Sequence, residues 1–210
     1  MGVVPLQRLQ GAPGVPDLPG EEALVKAAMF LDPDTANSAI AVVTPTRVLA
    51  VGVACIPQAY EGKHGMKHRV AAQSASLHAL TTLALREFPE IELCVSEFPA
   101  HHGYGSNTRP NDLIALASVI GAFLGPAGVR GVAVSPQEWK GNLNKRISQT
   151  RAFEFFGWTH TPGSNDDGVQ RFKIPETVRC LTDIPQCAMG DLADAVAGAK
   201  WAVLHGKKRP

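Results

Sequence analysis

Asp32 ends the apolar run Ala27-Ala28-Met29-Phe30-Leu31, and Glu97 ends a second run, Ile91 to Ser96. Asp191 and Asp194 open an alanine-rich stretch of helical character further on. Residues three apart on a helix share a face, so Asp191 and Asp194 point the same way. The start of a helix is also where its dipole best tolerates negative charge. Converging carboxylates without a counter-charge repel one another, so the set makes chemical sense as a hard-cation site. Carboxylates at strand ends facing a helix suit two Mg²⁺ (or Mn²⁺) ions held against a phosphodiester. Taken singly, each acid has a plainer reading. Asp32-Pro33-Asp34 would make an ordinary turn, Asp191 an N-cap and Asp194 a first-turn charge. Their joint order favours the metal site.

The elements that must carry these residues follow from periodicity. Strand-like runs at 26–32, 38–44 and 47–54 come in quick succession, the last two joined by the short Pro45-Thr46 link of a hairpin. A helix is predicted over 69–87, with Leu77, Leu80 and Ala84 on one face. A strand over 91–96 delivers Glu97, and a helix over 110–124 begins with Pro110, a residue at home in a first turn. A strand over 129–134, a short helix near 148–156 and a last helix over 189–205 complete the pattern. Residues 157–187 show no sustained period and read as a long loop or insertion. Residues 1–20, rich in Pro and Gly, read as a flexible N-terminal arm, leaving 21–210 as a single domain. Early short links favour an antiparallel meander, and the later strand–helix alternation favours parallel crossovers.

Composition narrows the partners. The 210 residues carry a formal net charge of +1, so any nucleic-acid contact must come from local basic patches. No run of about 18 uncharged apolar residues spans a bilayer. The N-terminus lacks the layout of a signal peptide, so a cytoplasmic location is expected. Cys55 and Cys94 lie in apolar runs and read as buried reduced thiols, and Cys180 and Cys187 match no standard zinc spacing.

Three segments carry a family resemblance: LDPDTANSAIAVV at 31–43, CVSEFPAHHG at 94–103 and GDLADAVAGAKWAVLH at 190–205. Together with VAVSPQEWKGNLNKR at 132–146, a match to the fifth strand and basic loop of phage-type members, they resemble the RuvC-type Holliday junction resolvases of the RNase H-like superfamily. The resemblance implies an α/β fold, an RNase H-like mixed five-stranded sheet flanked by helices. It implies Asp32, Glu97, Asp191 and Asp194 as catalytic and metal-holding residues, with two Mg²⁺ or Mn²⁺ ions per site. The residue after Asp32-Pro33 is Asp34 where the family usually has Gly. Strand alternation and the motif both favour Asp32 over Asp34.

The implied activity is metal-dependent endonucleolytic cleavage of branched DNA by a homodimer, with the phage-type members implying action in a host cytoplasm. Lys140, Lys145, Arg146 and Arg151 would bind flanking phosphates, and Phe98 or Tyr104 would stack on bases at the junction. Lys63, Lys67 and Arg69 form another basic group at the start of the long helix that lies near the dimer interface of such resolvases. Trp139, Trp158 and Trp201 read as core or edge packing. A nuclease of the same fold acting on RNA, RNA–DNA hybrid or forked and flap DNA shares the chemistry, since substrate choice lives in loops. A non-catalytic DNA-binding relative is disfavoured by the full set of acids. An actin-like ATP-binding protein needs glycine-rich phosphate loops, whereas the turn from Asp32 to Ser38 has no glycine.

Overall fold

The computed structural model describes residues 24–34, 36–56, 66–98, 110–126, 128–163 and 168–206. The arm at 1–20 lies outside them, as do Lys63, His101, His102 and Tyr104. Strands β1 (Ala27–Asp32), β2 (Asn37–Val43) and β3 (Val48–Cys55) form the expected antiparallel meander. Helix α1 (Met66–Glu87) leads to β4 (Ile91–Glu97), then α2 (Pro110–Leu124) to β5 (Arg130–Val134). The short α3 (Pro136–Trp139), α4 (Lys145–Phe156) and finally α5 (Met189–His205) follow. β4 pairs parallel to β1, and β5 parallel to β4, so the sheet is mixed and helices cover both faces.

The segment expected as a loop contains structure of its own. β6 (His160–Pro162) and β7 (Val169–Phe172) make a separate two-stranded hairpin. β8 (Arg179–Cys180) joins the edge of the main sheet, giving the order β5-β4-β1-β2-β3-β8. Strands this short show no readable period, which is why the sequence hides them. Beyond β8, the Thr182 hydroxyl accepts from Val53 N at 2.9 Å and donates to Val53 O at 3.1 Å, standing in for a ladder pair at the edge of β3.

Strand alternation divides the core into two. Met29, Leu31, Ile40 and Val42 face α1 and α2, where they meet Leu77, Leu80, Val119 and Phe123. Ala28, Phe30, Leu93 and Val95 face α5, where they meet Leu192, Ala193, Val196 and Ala199. Continuing those alternations by two residues brings Asp32 and Glu97 to the α5 face. Ala39 and Ala41 of β2 also lie beneath α5, so small side chains meet small side chains. At the closest approach, a Cβ on Gly198 would overlap the ring of Phe30. Among the described residues no helix is long and apolar enough to cross a membrane.

Phe30 is fully buried and cannot swing aside, so Gly198→Ala must shift α5 away from β1. The expected cost is about 1–3 kcal/mol of stability, the range for overpacking a close-packed core. Thermal unfolding of Gly198→Ala against the parent measures it.

Candidate active site

The ends of β1 and β4 are neighbours: Leu31 pairs with Ser96, which sets Asp32 beside Glu97. α5 crosses the same end of the sheet with Asp191 in its first turn and Asp194 one turn on. Ala188, not Asp191, takes the N-cap position. Asp34 is tied into the β1–β2 turn, though its charge still reaches Asp191. Its Oδ1 accepts from Ala36 N at 2.7 Å and its carbonyl accepts from the Ser38 hydroxyl at 2.9 Å, closing the β1–β2 turn.

Both oxygens of Asp194 are engaged. Lys145 Nζ lies 2.7 Å from Oδ2, and Gln149 Nε2 donates to Oδ1 at 2.8 Å. Asp194 is only 8% exposed, so these contacts replace the water it has lost. Lys145 and Gln149 are both delivered by α4, whose N-terminus is capped by the Asn144 side chain. Glu97 is held from the other side: Trp139 Nε1 donates to its Oε2 at 2.6 Å. Trp139 in turn packs edge-on against Phe30, and α3, which carries it, starts with a capping box of Ser135 and Glu138.

The electrostatics report crowding. Burial, then the charges of Asp194, Glu97 and Asp191, hold the Asp32 carboxyl well above the usual carboxylate range. Glu97 is raised as well, by burial first, with Lys140 and the Trp139 hydrogen bond opposing. Asp191 is raised to about 6 by burial and by Asp34. Burial works to lower the Lys145 pKa, yet Asp194, Asp32 and Asp191 together hold it above its ordinary value. Asp32, Glu97, Asp191, Asp194 and Lys145 therefore form one electrostatic unit.

Gln149 was not singled out by the sequence. It is 1% exposed, and while its Nε2 holds Asp194 its Oε1 accepts from Val169 N at 2.7 Å. The β6–β7 hairpin is thereby tied to a site carboxylate through one amide. Gly168, beside Val169, has φ +78°, and a Cβ there would run into that same amide. Trp139, expected as packing, also touches the site. Neither role leaves a spacing signal, because each depends on one long-range hydrogen bond.

The remaining expected contacts are distributed unevenly. Lys140 lies 5.1 Å from the Trp139 ring centroid, close to Glu97. Arg146 points elsewhere, donating to Gly163 O at 3.3 Å. Arg151 is exposed on α4, away from the carboxylates. Phe98, 45% exposed, follows Glu97 directly and its backbone N–H donates to Val134 O at 2.6 Å. Cys94 is buried beneath α1 and α2, and burial pushes its thiol up to about 12.

Fit to metal ions rests on the donor set. Every site acid offers carboxylate oxygens, the ligands of hard divalent cations, and the Lys145 ammonium stands where positive charge is needed. Among the described residues no three ligating side chains meet around a common point as they stand, with Lys145 taking an oxygen of Asp194. By charge and donor type the residues fit Mg²⁺ or Mn²⁺.

No protein-family model and no curated protein sequence matches the chain. Solved structures do. Thermus thermophilus RuvC superposes with a TM-score of 0.55 at 19% identity, covering 87% of this chain and 96% of its own. The same protein in complex with a Holliday junction substrate superposes with a TM-score of 0.56, covering 87% and 95%. The fold is that of the RuvC resolvases. In this RuvC-like frame the cluster occupies the ends of β1 and β4 under the start of α5.

Two outcomes follow. The folded metal-free protein keeps a proton on Asp191 between its unperturbed value of 3.8 and about 6, whereas the unfolded chain has lost it. Asp32 and Glu97 shift in the same direction. The Asp191 contribution to stability is therefore present at low pH and falls as pH rises from about 4 to about 6, and those of Asp32 and Glu97 fall with rising pH in the same sense. Chemical unfolding in EDTA across that window should show the fall, and Asp191→Asn should flatten it. Separately, Gln149→Met releases Asp194 Oδ1 and leaves the Val169 N–H unpaired. Destabilisation of about 1–3 kcal/mol in urea unfolding is expected from the lost polar contacts.

Proposed function

We propose that the protein is a divalent-metal-dependent nuclease that cuts branched DNA and resolves four-way (Holliday) junctions. The observation that carries the reading is the convergence of Asp32, Glu97, Asp191 and Asp194 at one end of a RuvC-like sheet. The likeness to a RuvC structure holding a Holliday junction supports the choice of substrate.

Asp32 on β1, Glu97 on β4 and Asp191 and Asp194 on α5 would hold the Mg²⁺ or Mn²⁺ ions. When bound, such ions make water nucleophilic at neutral pH and offset charge on the attacked and leaving oxygens. The protein's own residues prepare the site. Trp139 fixes the orientation of the Glu97 carboxylate, and Gln149 fixes one oxygen of Asp194. Lys145 neutralises part of the cluster in the free protein, and its exposed side lets it transfer to a DNA phosphate when substrate arrives. Lys140 would meet a phosphate on the neighbouring side, and Phe98, half-exposed beside Glu97, a base.

A homodimer is part of the proposal. A groove of about 520 Å³ between α1 and α2 is lined by Lys67, Val70, Ala71, Ile114 and Ala115. Ile114 stands 66% exposed beside it, an apolar side chain that a two-fold contact would cover. Ile114→Glu should convert dimer to monomer in sedimentation.

The deciding test is cleavage with Mg²⁺ or Mn²⁺ of a four-way junction, a fork, a linear duplex and an RNA–DNA hybrid. Paired symmetric nicks on the junction are expected, with Glu97→Gln and Asp32→Asn at least about 100-fold slower. Preference for another substrate would keep the metal site and replace the biology. No cleavage with either ion would sink the nuclease reading. Gln149→Met should lose about 10- to 100-fold in activity or metal affinity, the usual weight of a group that orients a ligand.

A further inference from the structure

A second concavity lies on the far side of Trp139 from the carboxylates, between the α3–α4 segment and the exposed flank of α5. Lys140, Arg151, Lys200, Trp139, Trp201 and His205 define its character, and among the described residues none that lines it is acidic. Lys200 is held in place. Lys200 Nζ donates to Arg151 O at 3.1 Å and lies 4.7 Å from the Phe155 ring centroid. Burial and the nearby Arg151 lower the Lys200 pKa, with Glu154 opposing, so positive charge is crowded here. The aromatic wall is ordered too. Trp201 and His205, one helical turn apart, stack with centroids 5.8 Å apart and planes 23° apart.

The cavity volume is about 160 Å³. Pockets that enclose a small molecule run to about 300–1,000 Å³, so this one suits a single unit of a longer ligand. Positive charge beside an aromatic plane is the chemistry that holds an unpaired nucleotide, phosphate on cation and base on ring. A paired base keeps both faces stacked within its duplex and offers none to a side chain. Trp139 links the two sites: its Nε1 bonds Glu97, and its ring lines this cavity beneath the Lys140 ammonium.

We propose that this cavity is a subsite for an unpaired nucleotide of the substrate strand, with Trp201 stacking on the base and Lys140, Arg151 and Lys200 holding adjacent phosphates. It rests on the nuclease reading for the identity of the strand, and it gives Trp201 a role beyond the edge packing it shows against the core. Trp139 and Trp158, by contrast, are buried.

The test is binding of the full chain to a labelled oligothymidylate in EDTA, which separates binding from cleavage. Quenching of tryptophan fluorescence is expected, and Trp201→Phe should remove most of it. Trp201→Ala should weaken binding about 5- to 100-fold, the weight of one base–aromatic stack. Lys200→Ala should reduce the slope of log affinity against log salt by about one unit. Arg151→Ala, an exposed change on α4, repeats the phosphate test without touching the packing of α5. Absence of oligothymidylate binding by the parent overturns the proposal, as does parent-like affinity in both Trp201→Ala and Arg151→Ala. Cleavage assays separate the two readings. If Glu97→Gln abolishes junction cleavage while Trp201→Ala leaves KM unchanged, the subsite falls and the nuclease stands. If the oligonucleotide binds through Trp201 but no substrate is cut, the cavity stands and the nuclease reading falls.

Discussion

Mutual repulsion among carboxylates is the constraint around which this end of the molecule is organised. Two like charges about 4 Å apart repel by about 4 kcal/mol at an effective dielectric near 20. A hydrogen bond to a charged group returns only about 1.5–3 kcal/mol. Neutral donors such as Trp139 and Gln149 therefore orient the acids without balancing them, and positive charge must be present as well. In the free protein Lys145 supplies it, with its ammonium on Asp194. The raised pKa values of Asp32, Glu97 and Asp191 come first from burial and then from the repulsion left unbalanced.

The hairpin of β6 and β7 has a place in this arrangement. Its own packing is aromatic: Phe153 stacks on Trp158 at 5.3 Å and leans on Phe172 at 4.7 Å. α4 is thus clamped between the hairpin and α5, and Lys145 and Gln149 ride on it. The segment between the fifth strand and the last helix buttresses the helix that serves Asp194.

Alternation made much of this legible beforehand. Ala28, Phe30 and Asp32 read as one face, as do Leu93, Val95 and Glu97, and the three-residue spacing of Asp191 and Asp194 reads as one side of a helix. The small residues of α5 permit its close approach to the sheet, realised at Gly198 and Phe30. What stayed hidden has physical reasons. β6, β7 and β8 are three, four and two residues long, too short for a period to emerge. The basic run after the fifth strand looked uniform, yet adjacent helical residues point about 100° apart, so Lys145 meets Asp194 while Arg146 meets Gly163. Trp201 packs against the core beneath α5 as the sequence suggested, but nothing in the sequence shows that it also lines a cavity.

The pairing of Leu31 with Ser96 carries one more implication. A strand that slips by a single residue turns all its side chains to the other face. Such a slip in β1 or β4 would send Asp32 or Glu97 to the apolar face that packs on α1 and α2, the face of Leu77, Leu80 and Phe123. The sheet thus acts as a checksum on its own assembly: the acids reach the same end and face only when every strand is seated in frame.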